Sequence, residues 1–125
     1  MGKITVAGLG PGDFGLITME AWETMRTAPV LILRTAKHPT VAELRRRGVK
    51  FSSYDALYEQ AEDFETLYRG IADNLVQRAQ AGEEIVYVVP GSPLVAERTV
   101  VLLREQAGRA GVPLTILPGM SFVEV

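Results

Sequence analysis

Cysteine is absent from this chain, and histidine occurs once. Disulfides and thiolate metal centres are therefore excluded. One imidazole without a thiolate also excludes an ordinary transition-metal site. The missing disulfides suit a cytoplasmic protein. There is no surplus of basic residues: net charge is −2, so neither a nucleic-acid backbone nor an anionic membrane surface is favoured as a partner. No apolar run approaches the roughly 20 residues that span a bilayer. The N-terminus, with Lys3 as its only basic residue before a short β-prone run, has no signal-peptide pattern. What is present is ordinary for a folded domain. The 125 residues are 47% hydrophobic and 22% charged, enough for one domain with a real core.

The most organised stretch is Ile4-Thr5-Val6-Ala7-Gly8-Leu9-Gly10-Pro11-Gly12-Asp13, an apolar run that breaks into glycines, a proline and an acid. It reads as a buried strand ending in a loop whose backbone can approach another molecule closely. Pro-Gly recurs at Pro90-Gly91 and Pro118-Gly119, each time directly after another apolar run. Three strand ends finished in the same way point to one shared edge where a ligand sits.

Between these loops the chain alternates. Thr18 caps a helix to about 27, with Ala21, Trp22, Met25 and Ala28 on its apolar face. Val30-Leu31-Ile32-Leu33 is a second strand, and the polar loop 34–39 follows it. Thr40 is the expected cap of a short helix that Gly48 ends. Val49-Lys50-Phe51 is the expected third strand, and Ala56-Leu57-Tyr58 is at most one helical turn. The longest helix covers about 63–81, with Phe64, Leu67, Tyr68, Ile71, Leu75, Val76 and Ala79 repeating at three and four. Glu84 to Val89 is the fourth strand, 95–110 a helix ended by Gly111, and Leu114 to Leu117 the fifth strand. Near-continuously apolar strands alternating with helices predict an α/β fold. Its five-stranded, mainly parallel sheet is covered by helices on both faces. In such a sheet ligands bind beyond the carboxyl ends of the strands. Residues 1–118 form the predicted α/β unit. Residues 119–125 read as the start of a further element, as though the chain were the N-terminal part of a longer protein.

The loops discriminate among chemistries. A dinucleotide fingerprint would need a third Gly or Ala where Asp13 stands, and an acid near Arg34-Thr35 for the ribose; a P-loop would need Gly-Lys-Ser/Thr. The first loop suits a ligand with hydroxyls or a positive centre. A carboxylate-only Mg²⁺ site around Asp55, Glu59, Glu62, Asp63 and Glu65 competes with the plainer reading of acids favoured at a helix start. Arg45-Arg46-Arg47 with Lys50 reads as a solvated face, Trp22 and Tyr68 as core, and His38 as an exposed loop residue. A site built mostly of backbone suits a cofactor that brings its own reactivity.

The motif Gly8-Leu9-Gly10-Pro11-Gly12-Asp13, followed by Leu16-Ile17-Thr18 and Ala21, resembles the opening of the tetrapyrrole (corrin/porphyrin) methylases. Val89-Pro90-Gly91-Ser92-Pro93 resembles their second glycine motif, and Pro118-Gly119-Met120-Ser121 the passage into their second domain. More narrowly, Thr35-Ala36-Lys37-His38-Pro39, Glu62-Asp63-Phe64 and Pro93 to Thr99 look like the methylase-like half of YabN-like proteins fused to a MazG-type nucleotide pyrophosphohydrolase. The resemblance implies an S-adenosylmethionine-dependent methyltransferase of two α/β domains, with the cofactor between them and no metal. It implies cofactor contacts at Pro11, Pro90, Gly91, Ser92, Val95, Ser121 and Phe122. A substrate cleft, for a tetrapyrrole or another small acceptor, would lie near Gly10, Gly12 and Asp13. No residue stands out as catalytic. That is consistent with in-line methyl transfer, where alignment does most of the work. Ser92 stands where the family usually has an acid, and this supports an alternative: a non-catalytic regulatory or assembly module. Phe122, Val123 and Val125 predict an apolar face that self-associates into a homo-oligomer.

Overall fold

The computed structural model describes residues 1–10, 12, 14–91, 93 and 97–118. Five strands form one wholly parallel sheet: β1 (Lys3–Gly8), β2 (Val30–Leu33), β3 (Ser52–Ser53), β4 (Glu84–Val89) and β5 (Leu114–Ile116). Their spatial order is β3-β2-β4-β1-β5. The helices are α1 (Met19–Arg26), α2 (Val41–Arg46), α3 (Asp55–Gln60), α4 (Phe64–Gln80) and α5 (Arg98–Ala110), with a 3₁₀ turn at Phe14–Leu16.

Alternation along each strand supplies both faces. From β1, Ile4 and Val6 join Ile32, Ile85 and Tyr87 against Ile71, Leu75 and Ala79 of α4 and Leu102 and Leu103 of α5. Ala7 joins Leu31, Leu33, Val86 and Val88 on the opposite face, under Ala21 and Met25 of α1 and Val41 and Leu44 of α2. A sheet apolar on both sides has to be covered on both sides, as the continuous hydrophobic runs required. Thr18 caps α1 through its hydroxyl, which accepts from the Ala21 amide at 3.1 Å. Asp63 does the same for α4, accepting from Thr66 at 2.8 Å.

Several expectations are corrected. The third strand is not Val49-Lys50-Phe51 but Ser52–Ser53, paired with Ile32 and Leu33. The chain leaves α2 through a Schellman closure: the Gly48 amide reaches Arg45 O at 3.0 Å and the Val49 amide reaches Leu44 O at 3.0 Å, with Gly48 at φ +77°. Val49 and Phe51 are spent packing beneath α2, so the sheet is joined only afterwards. Residues 55–60 make a full short helix rather than one turn at most, with Asp55 in its first turn. Thr40 is already helical and makes no side-chain cap. Phe64 is 66% exposed and stacks on Tyr68 at 6.0 Å instead of entering the core. Trp22 is half-buried and meets Phe14 edge-to-face at 5.4 Å, with the Arg47 guanidinium 4.4 Å from the Phe14 centroid and 5.5 Å from that of Trp22. Arg45 lies over Phe51. The basic triplet is thus partly an aromatic cover and not merely a solvated face. Among the described residues, α5 begins at Arg98, later than the predicted 95, because Glu97 takes the Thr99 amide and caps the helix there.

Candidate functional site

The chain leaves β1 toward the face carrying α1 and leaves β4 toward the face carrying α5, while β1 and β4 are neighbours in the sheet. Adjacent strands whose connections part to opposite faces make the carboxyl-end position where ligands usually bind in such sheets. Here two glycine loops meet at that position. Gly10 and Gly91 form an isolated antiparallel bridge, Gly10 N donating to Gly91 O at 3.1 Å and Gly91 N to Gly10 O at 3.0 Å. Both have positive φ, +73° and +67°, which favours glycine at each. Among the described residues, a side chain on Gly91 would meet nothing within 4 Å. At Gly8 the opposite holds: an added Cβ would lie 2.1 Å from Gly91 O. The third Pro-Gly loop starts at Pro118 beyond β5, the other neighbour of β1. The first two loops, and Pro118 at the start of the third, therefore stand at adjacent strand ends.

Of the predicted contacts, Gly10, Pro90 and Gly91 come together at this bridge, and Gly12 lies beside Pro39, whose Cγ would be 3.8 Å from an added Cβ. Pro11, Asp13, Ser92, Val95, Ser121 and Phe122 lie outside the described residues, as does the predicted self-association face.

A polar layer below the loops escaped the sequence reading. His38, expected to be exposed, is half-buried: Nε2 is 3.1 Å from Gly10 O and Nδ1 accepts from the Thr40 amide at 3.1 Å. An amide only donates, so Nδ1 is the bare nitrogen and Nε2 carries the proton given to Gly10. Burial lowers the His38 pKa, against the bond to Gly10 that raises it. A depressed histidine pKa contributes stability above the unfolded value near 6.5, which is lost as pH falls below it.

Arg34, which replaces the expected ribose acid, is held between Glu97 and Tyr58. Its Nε is 3.3 Å from Glu97 Oε2, an ion pair without hydrogen-bond alignment, and its Nη1 donates to the Tyr58 hydroxyl. Burial opposes its charge, but Glu97 and Tyr58 outweigh that and raise its pKa. Glu97 and Thr99 continue the network to Tyr87, whose hydroxyl is 2.9 Å from Thr99 Oγ1. Only the chain's long-range pairing brings these residues together, so local pattern gave no signal.

Three of the five acids weighed as a Mg²⁺ site, Asp55, Asp63 and Glu65, have separate tasks. Asp55 accepts from the Thr35 hydroxyl at 2.6 Å, the Ala36 amide at 2.8 Å and the Ser53 hydroxyl at 3.0 Å. Asp63 caps α4, and Glu65 pairs with Arg98 at 2.7 Å and Arg69 at 3.4 Å. Among the described residues no group of three or more His, Cys, Asp or Glu could hold a metal ion. Partial burial pushes the Asp55 pKa up, but the bonds from Thr35, Ala36 and Ser53 bring it below its ordinary value. Asp55→Asn should therefore cost about 1–2 kcal/mol at neutral pH, because an amide cannot accept from all three donors. The sign follows from the depressed pKa: the carboxylate's contribution is complete above about pH 4 and fades as pH drops through the lower folded value. Urea unfolding of wild type and variant should show a gap at pH 7 that narrows by pH 3.5.

These observations define a parallel α/β domain with two glycine loops bridged through their backbones at the switch point of its sheet. The comparisons with known proteins identify it further. The family model "Tetrapyrrole (Corrin/Porphyrin) Methylases" matches residues 3–125, and the chain belongs to that family. It is 40% identical to YabN of Bacillus subtilis over 98% of this chain and 25% of that protein. It is 31% identical to the siroheme synthase of Tolumonas auensis over 96% of this chain and 25% of that protein. Among solved structures it resembles the uroporphyrin-III C-methyltransferase of Thermus thermophilus complexed with S-adenosylhomocysteine: 25% identity, TM-score 0.65, covering 96% of this chain and 46% of that one. The chain thus spans about a quarter of these curated relatives. Among the described residues no helix is long and apolar enough to cross a membrane.

Proposed function

We propose that this domain forms one wall of an S-adenosylmethionine cleft and serves a methyl transfer to a small-molecule acceptor. The observation that carries the reading is the Gly10–Gly91 bridge at the junction of β1 and β4, where no described residue comes within 4 Å of an added Gly91 Cβ. Its backbone character fits a cofactor recognised along its length by main-chain groups, and a side chain at either position would obstruct that approach or strain the loop. Pro90 and Gly91, with Pro11, Ser92, Val95, Ser121 and Phe122 from the sequence motifs, are the residues that would hold it. Bound there, S-adenosylmethionine supplies an electrophilic methyl group. The chain's own part is to keep the two loops at fixed separation and leave room at Gly10, Gly12 and Asp13 for the acceptor. Family membership supports a tetrapyrrole as that acceptor, and the complex of the Thermus enzyme with S-adenosylhomocysteine supports the cofactor class.

Ser92 favours a second reading, a regulatory or assembly module that keeps the fold, attached in the full-length protein to a MazG-type pyrophosphohydrolase. Isothermal titration of the full-length protein separates the two. Saturable heat with S-adenosylmethionine and S-adenosylhomocysteine is expected; none at millimolar ligand would refute cofactor binding. A large gain in affinity on Ser92→Asp would instead mark a degenerate site and favour the module.

A further inference from the structure

The segment after β2 contributes none of the contacts proposed for the cofactor, yet it holds both loops that do. His38 donates to Gly10 O, the same carbonyl that receives the Gly91 amide, so the imidazole braces the bridge from below. At the other end of the second loop, Glu97 is held by Arg34. The segment is itself immobilised. Arg34 N donates to Val88 O at 2.8 Å, Thr35 and the Ala36 amide are bound by Asp55, and the Lys37 amide donates to Thr35 Oγ1 at 3.0 Å. The bare Nδ1 facing the Thr40 amide fixes the imidazole in the one tautomer that can donate to Gly10.

We infer that residues 34–38 act as a clamp on the cofactor loops, with His38 and Arg34 as positioning residues. This rests on the cofactor reading above. A site made of backbone has no rotamers with which to adjust, so its geometry depends on whatever holds the backbone in place. Among the described residues the two loops are joined only by the Gly10–Gly91 pair of hydrogen bonds and by the Leu9 amide on Val89 O at 2.9 Å, and beyond these they would otherwise open independently. With His38 on Gly10 and Arg34 on Glu97, they move only together with β2.

The test uses the full-length protein with S-adenosylhomocysteine as the probe and two readouts: affinity by calorimetry and amide exchange at Gly10 and Gly91. His38→Ala should weaken affinity and accelerate exchange at both amides, each by about tenfold, the worth of one buried hydrogen bond. His38→Gln, whose amide N–H can reach the same carbonyl, should recover both to within about threefold of wild type. Tyr54→Phe serves as a control, since it removes the 2.7 Å bond to Asn74 and should lower stability without moving either readout. Affinity and exchange in folded His38→Ala both within about twofold of wild type would overturn the clamp. So would a loss that His38→Gln does not repair. If His38→Ala does not fold, His38→Asn against His38→Gln makes the same comparison, the shorter amide falling short of Gly10. If wild type itself binds no S-adenosylhomocysteine, the cofactor reading fails, and exchange at Gly10 and Gly91 alone still decides whether His38 holds the loops.

Discussion

Gly8→Ala should destabilise the domain by about 3 kcal/mol or more, at the upper end for overpacking a close contact. The added Cβ would lie 2.1 Å from Gly91 O and 3.0 Å from Pro93 Cδ. The first neighbour is backbone in a loop already bonded to Gly10, so no side chain can turn away to make room. Relief requires moving β1 or the turn after β4 by more than an ångström, which breaks the Gly10–Gly91 bridge. Thermal unfolding should therefore shift down by roughly 10 °C, with ligand affinity lost as well. Gly70→Ala is the contrast. It lies in α4 with none of the described residues within 4 Å of an added Cβ, and should leave stability unchanged or raise it by about 0.5–1 kcal/mol. A Gly8→Ala protein as stable as wild type would show that the two loops are not in close contact.

Removing Arg34 should have a comparable effect. Its side chain and that of Glu97 are only 19% and 9% exposed, so Arg34→Met leaves a nearly buried carboxylate without its countercharge. Loss of one partner of such a pair costs about 3–5 kcal/mol; water at the rim and the bonds Glu97 keeps from Thr99 put the expected value near 3. Replacing both charges removes the stranded group. Arg34→Met with Glu97→Gln should accordingly recover a large part of the loss, a coupling that a double-mutant cycle in urea measures directly. A single-variant loss below about 0.5 kcal/mol would mean that the pair is effectively hydrated.

Much of the framework was legible along the chain. Val30-Leu31-Ile32-Leu33 and Ile85 to Val89 announce buried strands because their apolar side chains run on without alternation, so both faces shun water. The spacing of Leu67, Ile71, Leu75 and Ala79 admits only a helix with one buried side. The corrected elements are those where a tertiary contact outweighs local preference. Val49 and Phe51 have strand-forming side chains but are claimed by the underside of α2. Phe64 has an apolar side chain at the first helical position, where it reaches past the core and stacks on Tyr68. His38 in a proline-flanked loop has no local signature of burial, since its partner Gly10 is 28 residues away.

By itself the sequence determined a parallel sheet with helices on both faces and three glycine–proline loops on its carboxyl edge. Apolar period, cap residues and chain direction are local properties and leave little choice. Which strands are neighbours is not local. Only the order β3-β2-β4-β1-β5 puts the loops after β1 and β4 side by side, so that Gly10 can bond to Gly91 and Arg34 can meet Glu97. The strands' hydrogen-bonding edges are chemically alike, so pairing is decided by how the crossover helices pack on the sheet. That packing brings two separate glycine motifs into one backbone bridge.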